Sequence, residues 1–420
     1  MRVSVVVQAT PVPVARPVIG ESEMLAIQRP LQSGWLTQGP EVAAFEREFA
    51  AHTGAPHACA VSNCTTALHL ALRVLGIGKG DEVVTVSHSF IASANAIRYC
   101  GAVPVFVDIE PDTYNMAPAR LEAVITPRTR AILAVHQLGM PCDLESISEI
   151  ALRHGLPVIE DAACAAGSEL LWRGRWEAIG RPHGDIACFS FHPRKVMTTG
   201  DGGMLTTAVA EWDRRFRLWR QHAMSVPDTA RHRAQSVVFE QYTELGFNYR
   251  LTDMQAAVGR EQLGRLPAMV AERRRLARQY NEVLAGIEGL RLPREPEWAR
   301  SNWQSYCVRL PERRDQLQVM QSMLDAGIHT RRGVMCAHRE PAYRIEPWRC
   351  QGPGGTVDGE SATCAALANS EAVTAHGLIL PLYVGLTDDD QARVVAALAA
   401  ALDHQAESSC RSALTPETAA

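Results

Sequence analysis

Short apolar runs alternate with helix-like segments between residues 81 and 159, and this alternation limits the folds that the chain can adopt. The runs at 83–86, 103–107 and 131–135 are rich in Val and Ile, and helical patterns separate them. Such runs are typical of strands that are buried on both faces of a parallel sheet. The pattern therefore predicts an α/β fold in which helices cover both faces of a largely parallel sheet.

Polar residues follow the predicted strands at their carboxyl ends. Because ligands bind at the carboxyl ends of the strands in such sheets, these side chains are expected to converge on one crevice. Glu160 and Asp161 are neighbours on one strand, so their side chains should point in opposite directions. The residues at the strand ends are Ser87-His88-Ser89-Phe90, Asp108, His136-Gln137, Glu160-Asp161 and Ser190.

Lys195 stands between a predicted strand at 186–189 and a glycine cluster at 200–203. Burial lowers the pKa of a lysine, and an uncharged amine attacks carbonyl carbons. Enzymes that use pyridoxal phosphate (PLP) need such an amine, because it binds the cofactor as a Schiff base. An ordinary solvated lysine is the alternative, and the local sequence leaves both interpretations open.

Two further residues suit the ring of that cofactor. Asp161 ends a buried strand 34 residues before Lys195 (195 − 161). Its carboxylate could pair with a protonated pyridine nitrogen, although helix capping is the alternative. Phe90 could stack on the face of the ring, and simple core packing explains the same residue equally well.

A turn at Ser62-Asn63 joins a predicted strand to an apolar helix. Free backbone N–H groups and small hydroxyl side chains at a helix start form a natural phosphate site. Ser62, Cys64, Thr65 and Ser190 could contribute to it. Ordinary capping of the helix by Ser62, Asn63 or Thr65 remains the alternative.

Composition excludes several classes of function. The net charge is −4 and the pI about 6.4, so nothing favours binding to nucleic acid or to an anionic membrane. No apolar segment is long enough to span a membrane. The 11 cysteines form no CxxC pair, which favours free thiols in a reducing cytoplasm and no metal site. The run Glu272-Arg273-Arg274-Arg275 is interpreted as a solvated helix face.

The chain is expected to divide into an N-terminal arm and helix at 1–30, a large PLP-binding domain at 31–270, a small C-terminal domain at 271–403 and a disordered tail at 404–420. Residues 339–370 are rich in Gly, Pro and Ser and predict a long loop.

The sequence pattern also predicts three helices that are compared with the structure below. One covers 118–125, a second covers about 253–263, and a third covers 266–286 and links the two domains.

A series of motifs in order resembles the DegT-type sugar aminotransferase family, which consists of PLP enzymes of fold type I. The resemblance covers about residues 17–402. Its motifs are Ser33-Gly34-Trp35-Leu36-Thr37-Gln38-Gly39-Pro40, Ala67-Leu68-His69-Leu70-Ala71-Leu72, Gly80-Asp81-Glu82-Val83, Ile159-Glu160-Asp161-Ala162-Ala163, Ser190-Phe191-His192-Pro193-Arg194-Lys195, Gly202-Gly203, Asn248-Tyr249-Arg250-Leu251-Thr252-Asp253 and Leu380-Pro381-Leu382-Tyr383.

The resemblance implies a large domain with a mostly parallel seven-stranded sheet flanked by helices, and a smaller C-terminal α+β domain. It implies that Lys195 forms the Schiff base and that Asp161 pairs with the pyridine nitrogen. Cys64, Thr65 and Ser190 would bind the phosphate, and Phe90 would stack on the ring.

The resemblance also implies partners and a reaction. Asn248 would reach the phosphate of the neighbouring subunit, so the active unit would be a homodimer. The family moves an amino group, usually from glutamate or glutamine, to a keto-sugar or a keto-cyclitol.

The sequence departs from the family pattern at two positions near the site. Cys164 stands where Gln or His is common, and Met140 stands where a polar residue is common. Other PLP chemistry, such as dehydration or a carbon–carbon bond reaction, therefore stays open. Lys195 argues against the dehydratase branch, which has histidine there. A non-enzymatic, PLP-binding regulatory protein is the third hypothesis. The sequence contains no basic helix-turn-helix segment that would support it.

Overall fold

The computed structural model describes residues 10–350 and 364–412. The strands found there are, in chain order, β1 His57–Val61, β2 Glu82–Val86, β3 Val103–Val107, β4 Thr129–Val135, β5 Val158–Asp161, β6 Glu169–Trp172, β7 Arg175–Ala178, β8 Ile186–Ser190, β9 Gly203–Thr207, β10 Ala299–Arg300, β11 Tyr306–Arg309, β12 Arg331–Arg332, β13 Arg349–Cys350 and β14 Gly377–Leu380.

The helices of the same residues are α1 Glu21–Ser33, α2 Pro40–Thr53, α3 Cys64–Val74, α4 Ala92–Tyr99, α5 Leu144–His154, α6 Ala210–Trp219, α7 Asp228–Arg233, α8 Asp253–Leu284, α9 Gln316–Asp325, α10 Ala368–His376 and α11 Asp388–Ser412. Side chains of Asn63, Asp143 and Thr252 cap the first turns of α3, α5 and α8. Such caps satisfy backbone N–H groups that have no partner inside the helix.

The largest sheet of the described part has eight strands in the order β1-β9-β8-β5-β4-β2-β3-β13. Neighbouring strands are parallel, except that β9 is antiparallel to both β8 and β1. The seven strands that the family resemblance implies are present, and β13 is an eighth at one edge. The prediction of an α/β fold with a mostly parallel sheet flanked by helices is therefore confirmed.

The eighth strand, β13, comes from the segment at 339–370 that was predicted to be a loop. Its residues pair in parallel with β3 at the edge of the sheet. Trp348 and Tyr343 pack on Phe106, with ring centroids 5.7 and 6.3 Å apart. The prediction of a long loop is wrong for this part, because three aromatic rings give the segment an apolar core of its own. Residues 351–363 lie outside the described residues.

Cys350 and Cys364 form a disulfide bond. The expectation that all cysteines are free thiols is therefore wrong for this pair. Cys350 is the last residue of β13, and both cysteines pack with Phe106, Tyr343 and Trp348. Eight other cysteines in the described part of the chain are free.

The C-terminal part has a second core around Tyr280, Tyr306 and Leu380, beside the three-stranded sheet β11-β14-β12. Helix α8 crosses from the first core to the second. Val270 packs in the first core and Leu276 in the second. The predicted domain boundary at 270/271 falls between them and stays a prediction, since no independent observation divides the chain.

Three predicted helical segments differ in length or type. The helices predicted at 253–263 and 266–286 form the single helix α8, because apolar residues on both sides of Pro267 stay buried along one face. The segment at 118–125 forms two 3-10 turns, Pro118–Arg120 and Glu122–Val124. The prediction of a single α-helix is therefore wrong in type for this segment.

The prediction of a disordered tail at 404–420 is wrong for its first residues. Helix α11 continues to Ser412, because residues 404–412 contain no Pro or Gly to end it. Residues 413–420 lie outside the described part. No helix at 10–350 or 364–412 is both long and apolar enough to cross a membrane.

Arg273 connects α8 to the C-terminal part. It is buried, so the interpretation of 272–275 as a solvated helix face is wrong for this residue. Its guanidinium donates to the backbone carbonyl oxygens of Trp303 at 2.8 Å, Gln304 at 2.6 Å and Leu382 at 2.9 Å. These bonds fix residues 303–304, which lie close to the site described next, against α8.

Candidate active site

Lys195 lies in the tight connection that joins β8 to β9. The backbone N–H of Lys195 donates to the carbonyl of His192 at 2.8 Å, and that of Thr199 donates to Phe191 at 3.0 Å. Residues 191–202 therefore form a rigid turn at the carboxyl end of β8. The lysine is held where the ligand crevice of a parallel sheet is expected.

The amine of Lys195 contacts the thiol of Cys164, with 3.1 Å between Nζ and Sγ. Burial lowers the pKa of Lys195, but Cys164, Cys64 and Asp161 outweigh it and leave the pKa above its usual value. The expectation that burial alone makes this amine uncharged is therefore wrong. The sequence alone could not predict this raised pKa, because Cys64, Asp161 and Cys164 come from separate parts of the chain.

Asp161 ends β5 and faces the same site. Its carboxylate accepts hydrogen bonds from the Ser93 hydroxyl at 2.7 Å and from the backbone N–H of Ala163 at 3.1 Å. The hydroxyl of Ser93 also contacts that of Ser89 at 2.8 Å. Ser93 was missed in the sequence, where only its spacing of four residues from Ser89 along a helix start gave any signal.

Glu160 points to the opposite face of β5, as the alternation of a strand predicts. Its carboxylate contacts Nε2 of His136 at 3.0 Å and accepts from the backbone N–H of Gly184 at 2.8 Å. Burial lowers the pKa of His136, but Cys142 and Glu160 outweigh it and raise it to about 10. His136 and Glu160 therefore form a separate buried pair.

Other strand-end residues also stay outside the site. Asp108 accepts hydrogen bonds from the backbone and hydroxyl of Ser370. His88 is buried against the ring of Tyr114. The expectation that all the strand-end side chains converge is thus wrong for Asp108 and His88, because alternation and long-range partners direct them elsewhere. Met140, one of the two departures from the family pattern, packs in the second core.

The register of three strands places Ser190 beside the start of α3. Ser190 pairs with Gly203, which in turn pairs with Val61 at the end of β1. A Cβ at Gly203 would lie 2.5 Å from the backbone carbonyl carbon of Asn63, so only glycine allows this approach. The helix start and the Ser190 side chain therefore face one small region.

Asn63, not Ser62 or Thr65, caps α3, since its side chain accepts from the N–H of Thr66 at 2.9 Å. Thr65 is partly exposed at the first turn. The thiol of Cys64 points towards Asp161, with 4.0 Å between Sγ and Oδ1. What Cys64 can offer a phosphate is its backbone N–H at the helix start.

Phe90 lies in the loop after β2, and 60% of its surface is exposed. Simple core packing, the alternative for this residue, is therefore excluded. Asn248 is exposed and forms a backbone bridge with Gln221. In the described part of the chain no hydrogen bond joins Asn248 to Lys195 or Asp161, so its predicted role in a neighbouring site stays a prediction.

The site offers one group for each part of PLP. The amine of Lys195 suits the aldehyde, and the carboxylate of Asp161 suits the ring nitrogen. The start of α3 with Ser190 suits the phosphate, and the exposed ring of Phe90 suits the face of the cofactor ring. The arrangement depends on Gly203, because a Cβ there would clash with the backbone of Asn63 and Cys64 at the helix start. The fold and the site thus define a PLP enzyme of fold type I.

A sequence model of the DegT/DnrJ/EryC1/StrS aminotransferase family matches residues 17–399, and the chain belongs to this family. GDP-perosamine synthase of Caulobacter vibrioides is 40% identical over 392 residues, covering 92% of this chain and 96% of that protein. Spore coat polysaccharide biosynthesis protein SpsC of Bacillus subtilis is 36% identical over 390 residues, covering 92% and 96%. The solved aminotransferase TlmJ of Streptoalloteichus hindustanus has a TM-score of 0.82 and 33% identity, covering 94% and 99%. The protein is a PLP-dependent aminotransferase.

Proposed function

We propose that this enzyme moves an amino group from glutamate or glutamine to a keto-sugar or keto-cyclitol, in sugar or natural-product biosynthesis. The observation that carries the proposal is the meeting of Lys195 and Asp161 in one site at the carboxyl edge of the sheet. The sugar in the acceptor is supported by the relatives, whose names concern perosamine and a coat polysaccharide.

Each site residue has a role that follows from its position. PLP supplies an electron sink that stabilises negative charge on the substrate carbon. The amine of Lys195 holds the cofactor and then moves a proton on the substrate carbon as general base and acid. The Asp161 carboxylate balances positive charge at the ring nitrogen.

The remaining residues bind and orient. Ser190, Thr65 and the N–H of Cys64 would bind the phosphate, because a helix start favours anions. Phe90 would cover one ring face. Cys164, beside the amine, would border the cofactor near Lys195.

A second candidate is another PLP reaction, such as dehydration or carbon–carbon bond chemistry. It is favoured by one observation, the thiol of Cys164 at 3.1 Å from the amine, since a thiol differs in acidity from the amide or imidazole common there. The two candidates differ in what happens to the amino donor.

An assay with amino donors separates these candidates. Purified enzyme should be yellow, and glutamate or glutamine should convert its spectrum to the amine form within one turnover. Keto-sugars and keto-cyclitols, added one by one, should restore the yellow form. A yellow protein that responds to neither donor, nor to other amino acids, would contradict the aminotransfer proposed here and favour the second candidate.

We further infer that the active unit is a homodimer in which Asn248 reaches the neighbouring site. The inference is supported by the exposure of large apolar residues just before Asn248 in one chain: Val237 is 84%, Phe239 88% and Leu245 79% exposed. Surfaces of this kind are typical of subunit interfaces. Asn248 itself is exposed beside them.

Mixing two inactive variants tests the shared site. Lys195→Ala and Asn248→Ala dimers should each lose most activity, and subunit exchange between them should restore about a quarter of wild-type activity. The reason is that half of the exchanged dimers contain one site with both residues intact. Asn248→Asp mixed with Asn248→Ala is the matched control and should restore nothing. Failure to regain activity although mixed dimers form would contradict a shared site.

A cytoplasmic location, expected from the cysteine content, stays a prediction. Free thiols in most of the described part support it, and the Cys350–Cys364 bond does not.

A further inference from the structure

The contact between Lys195 and Cys164 joins the reacting amine to a second group that can carry a proton. Nζ and Sγ lie 3.1 Å apart, which is within hydrogen-bond distance when sulfur takes part. A thiol has a pKa within about two units of that of a lysine, so one proton can lie on either atom. The side-chain amide of Asn302 and the backbone groups near Cys164 cannot exchange a proton with the amine in this way.

The position of Cys164 is fixed by its backbone. Its carbonyl accepts from Nδ2 of Asn302 at 2.8 Å, and the same Nδ2 donates to Ala166 at 2.8 Å. The N–H of Asn302 donates to Ser168 at 3.0 Å. The thiol is thus aimed at the amine by a short network that reaches into residues 301–304, so the contact does not depend on a mobile loop.

Charged and titratable groups surround the pair on several sides. Asp161 and Cys64 act on Lys195 from β5 and α3, and together with Cys164 they raise its pKa against the effect of burial. Arg194 lies on the same turn as Lys195, and the electrostatic interaction between its guanidinium and Cys164 is favourable. His192 lies on that turn too, but burial lowers its pKa, so it adds no positive charge at neutral pH. The cations near the Cys164 thiol are therefore Lys195 and Arg194.

We propose that Cys164 is the proton partner of Lys195. The S–H bond of Cys164 breaks as an N–H bond forms on Nζ, which gives a thiolate–ammonium pair, and the proton returns to sulfur when the amine is needed uncharged. The step balances with no other reactant. It rests on the proposed function only in that Lys195 is the amine which binds the cofactor and moves protons.

The proposal depends on a property of Cys164 that other side chains at this position would lack, namely the release of a proton to the amine of Lys195. Gln cannot release a proton to the amine, and Ser holds its proton far more tightly than Cys. Removing the thiolate removes a negative charge that raises the pKa of Lys195. In a Cys164→Ser variant the amine should therefore become uncharged, and react with an aldehyde, at lower pH.

Alkylation of the full-length protein freed of PLP tests the pair without any measurement of activity. Iodoacetamide should modify Cys164 at pH 7 about tenfold faster than Cys100, because thiolates and not thiols react. Cys100 is the internal reference: it is also a partly exposed free cysteine, and burial raises its pKa to about 11. Peptide mass analysis separates the two sites.

Replacing Lys195 by Met, which keeps the volume and removes the charge, should reduce the Cys164 rate to about that of Cys100. A Cys100→Ser variant is the control and should leave the Cys164 rate unchanged. The rate at which PLP attaches to Lys195, followed against pH, should have its midpoint about one unit lower in Cys164→Ser than in the wild type.

The results distinguish this proposal from the proposed function. Cys164 that reacts no faster than Cys100 in the wild-type protein, or a rate that Lys195→Met leaves unchanged, overturns the proton pair even if the enzyme transfers amino groups. Fast Lys195-dependent alkylation supports the pair even if no donor is consumed, in which case only the proposed reaction fails.

Discussion

Lys195→Ala should lower turnover by about 10⁴-fold, the upper range for loss of a general acid and base, because the proposed site has no second amine to move the proton. The change should also stop borohydride from fixing PLP to the protein. Turnover and reductive labelling, measured on the same preparation, give two independent readouts. Labelling is decisive here because the chain contains two lysines, Lys79 and Lys195.

Lys79→Ala is the matched control. Lys79 is exposed and precedes β2, at the amino end of that strand and so at the sheet edge opposite the crevice. It should keep both wild-type turnover and wild-type labelling. Retained turnover in Lys195→Ala, or label recovered on Lys79 in the wild type, would refute the role given to Lys195.

The parts of the fold that could be predicted are those that depend on neighbouring residues. Val- and Ile-rich runs indicated the buried strands, and the order of strand and helix indicated a parallel sheet. The alternation of one strand placed Asp161 in the site and Glu160 outside it. These inferences succeed because each needs only a short stretch of chain.

The parts that could not be predicted depend on contacts between distant elements. Ser93 reaches Asp161 from α4, and Cys164 meets Lys195 across 31 residues of sequence. The pKa of Lys195 follows from those groups and not from burial alone. Strand β13 likewise required partners, since the rings of Tyr343 and Trp348, which precede it, pack on Phe106 of β3.

Asp161→Asn should reduce turnover by about 10²- to 10³-fold, the usual loss when a preorganised charge is removed from a catalytic site. Asn has the same shape: its Oδ1 can still accept from the N–H of Ala163, and its Nδ2 can donate to the hydroxyl oxygen of Ser93. The variant therefore removes the negative charge with little change in packing. PLP affinity, stability and turnover, measured together, show which of them depends on charge.

Ser93→Ala provides the comparison that separates charge from position. It removes one hydrogen bond to the carboxylate, at 2.7 Å, and leaves the charge in place. Since that bond only orients Asp161, its loss should lower turnover much less than Asp161→Asn does. If Asp161→Asn instead retained wild-type turnover, the carboxylate would serve only to cap the turn at Ala163, which was the other interpretation open in the sequence. A large loss in Asp161→Asn with normal stability, beside a small loss in Ser93→Ala, shows that the charge itself acts on the bound ring. Asp and Asn share their shape, and Ser93→Ala measures what the altered hydrogen bond contributes.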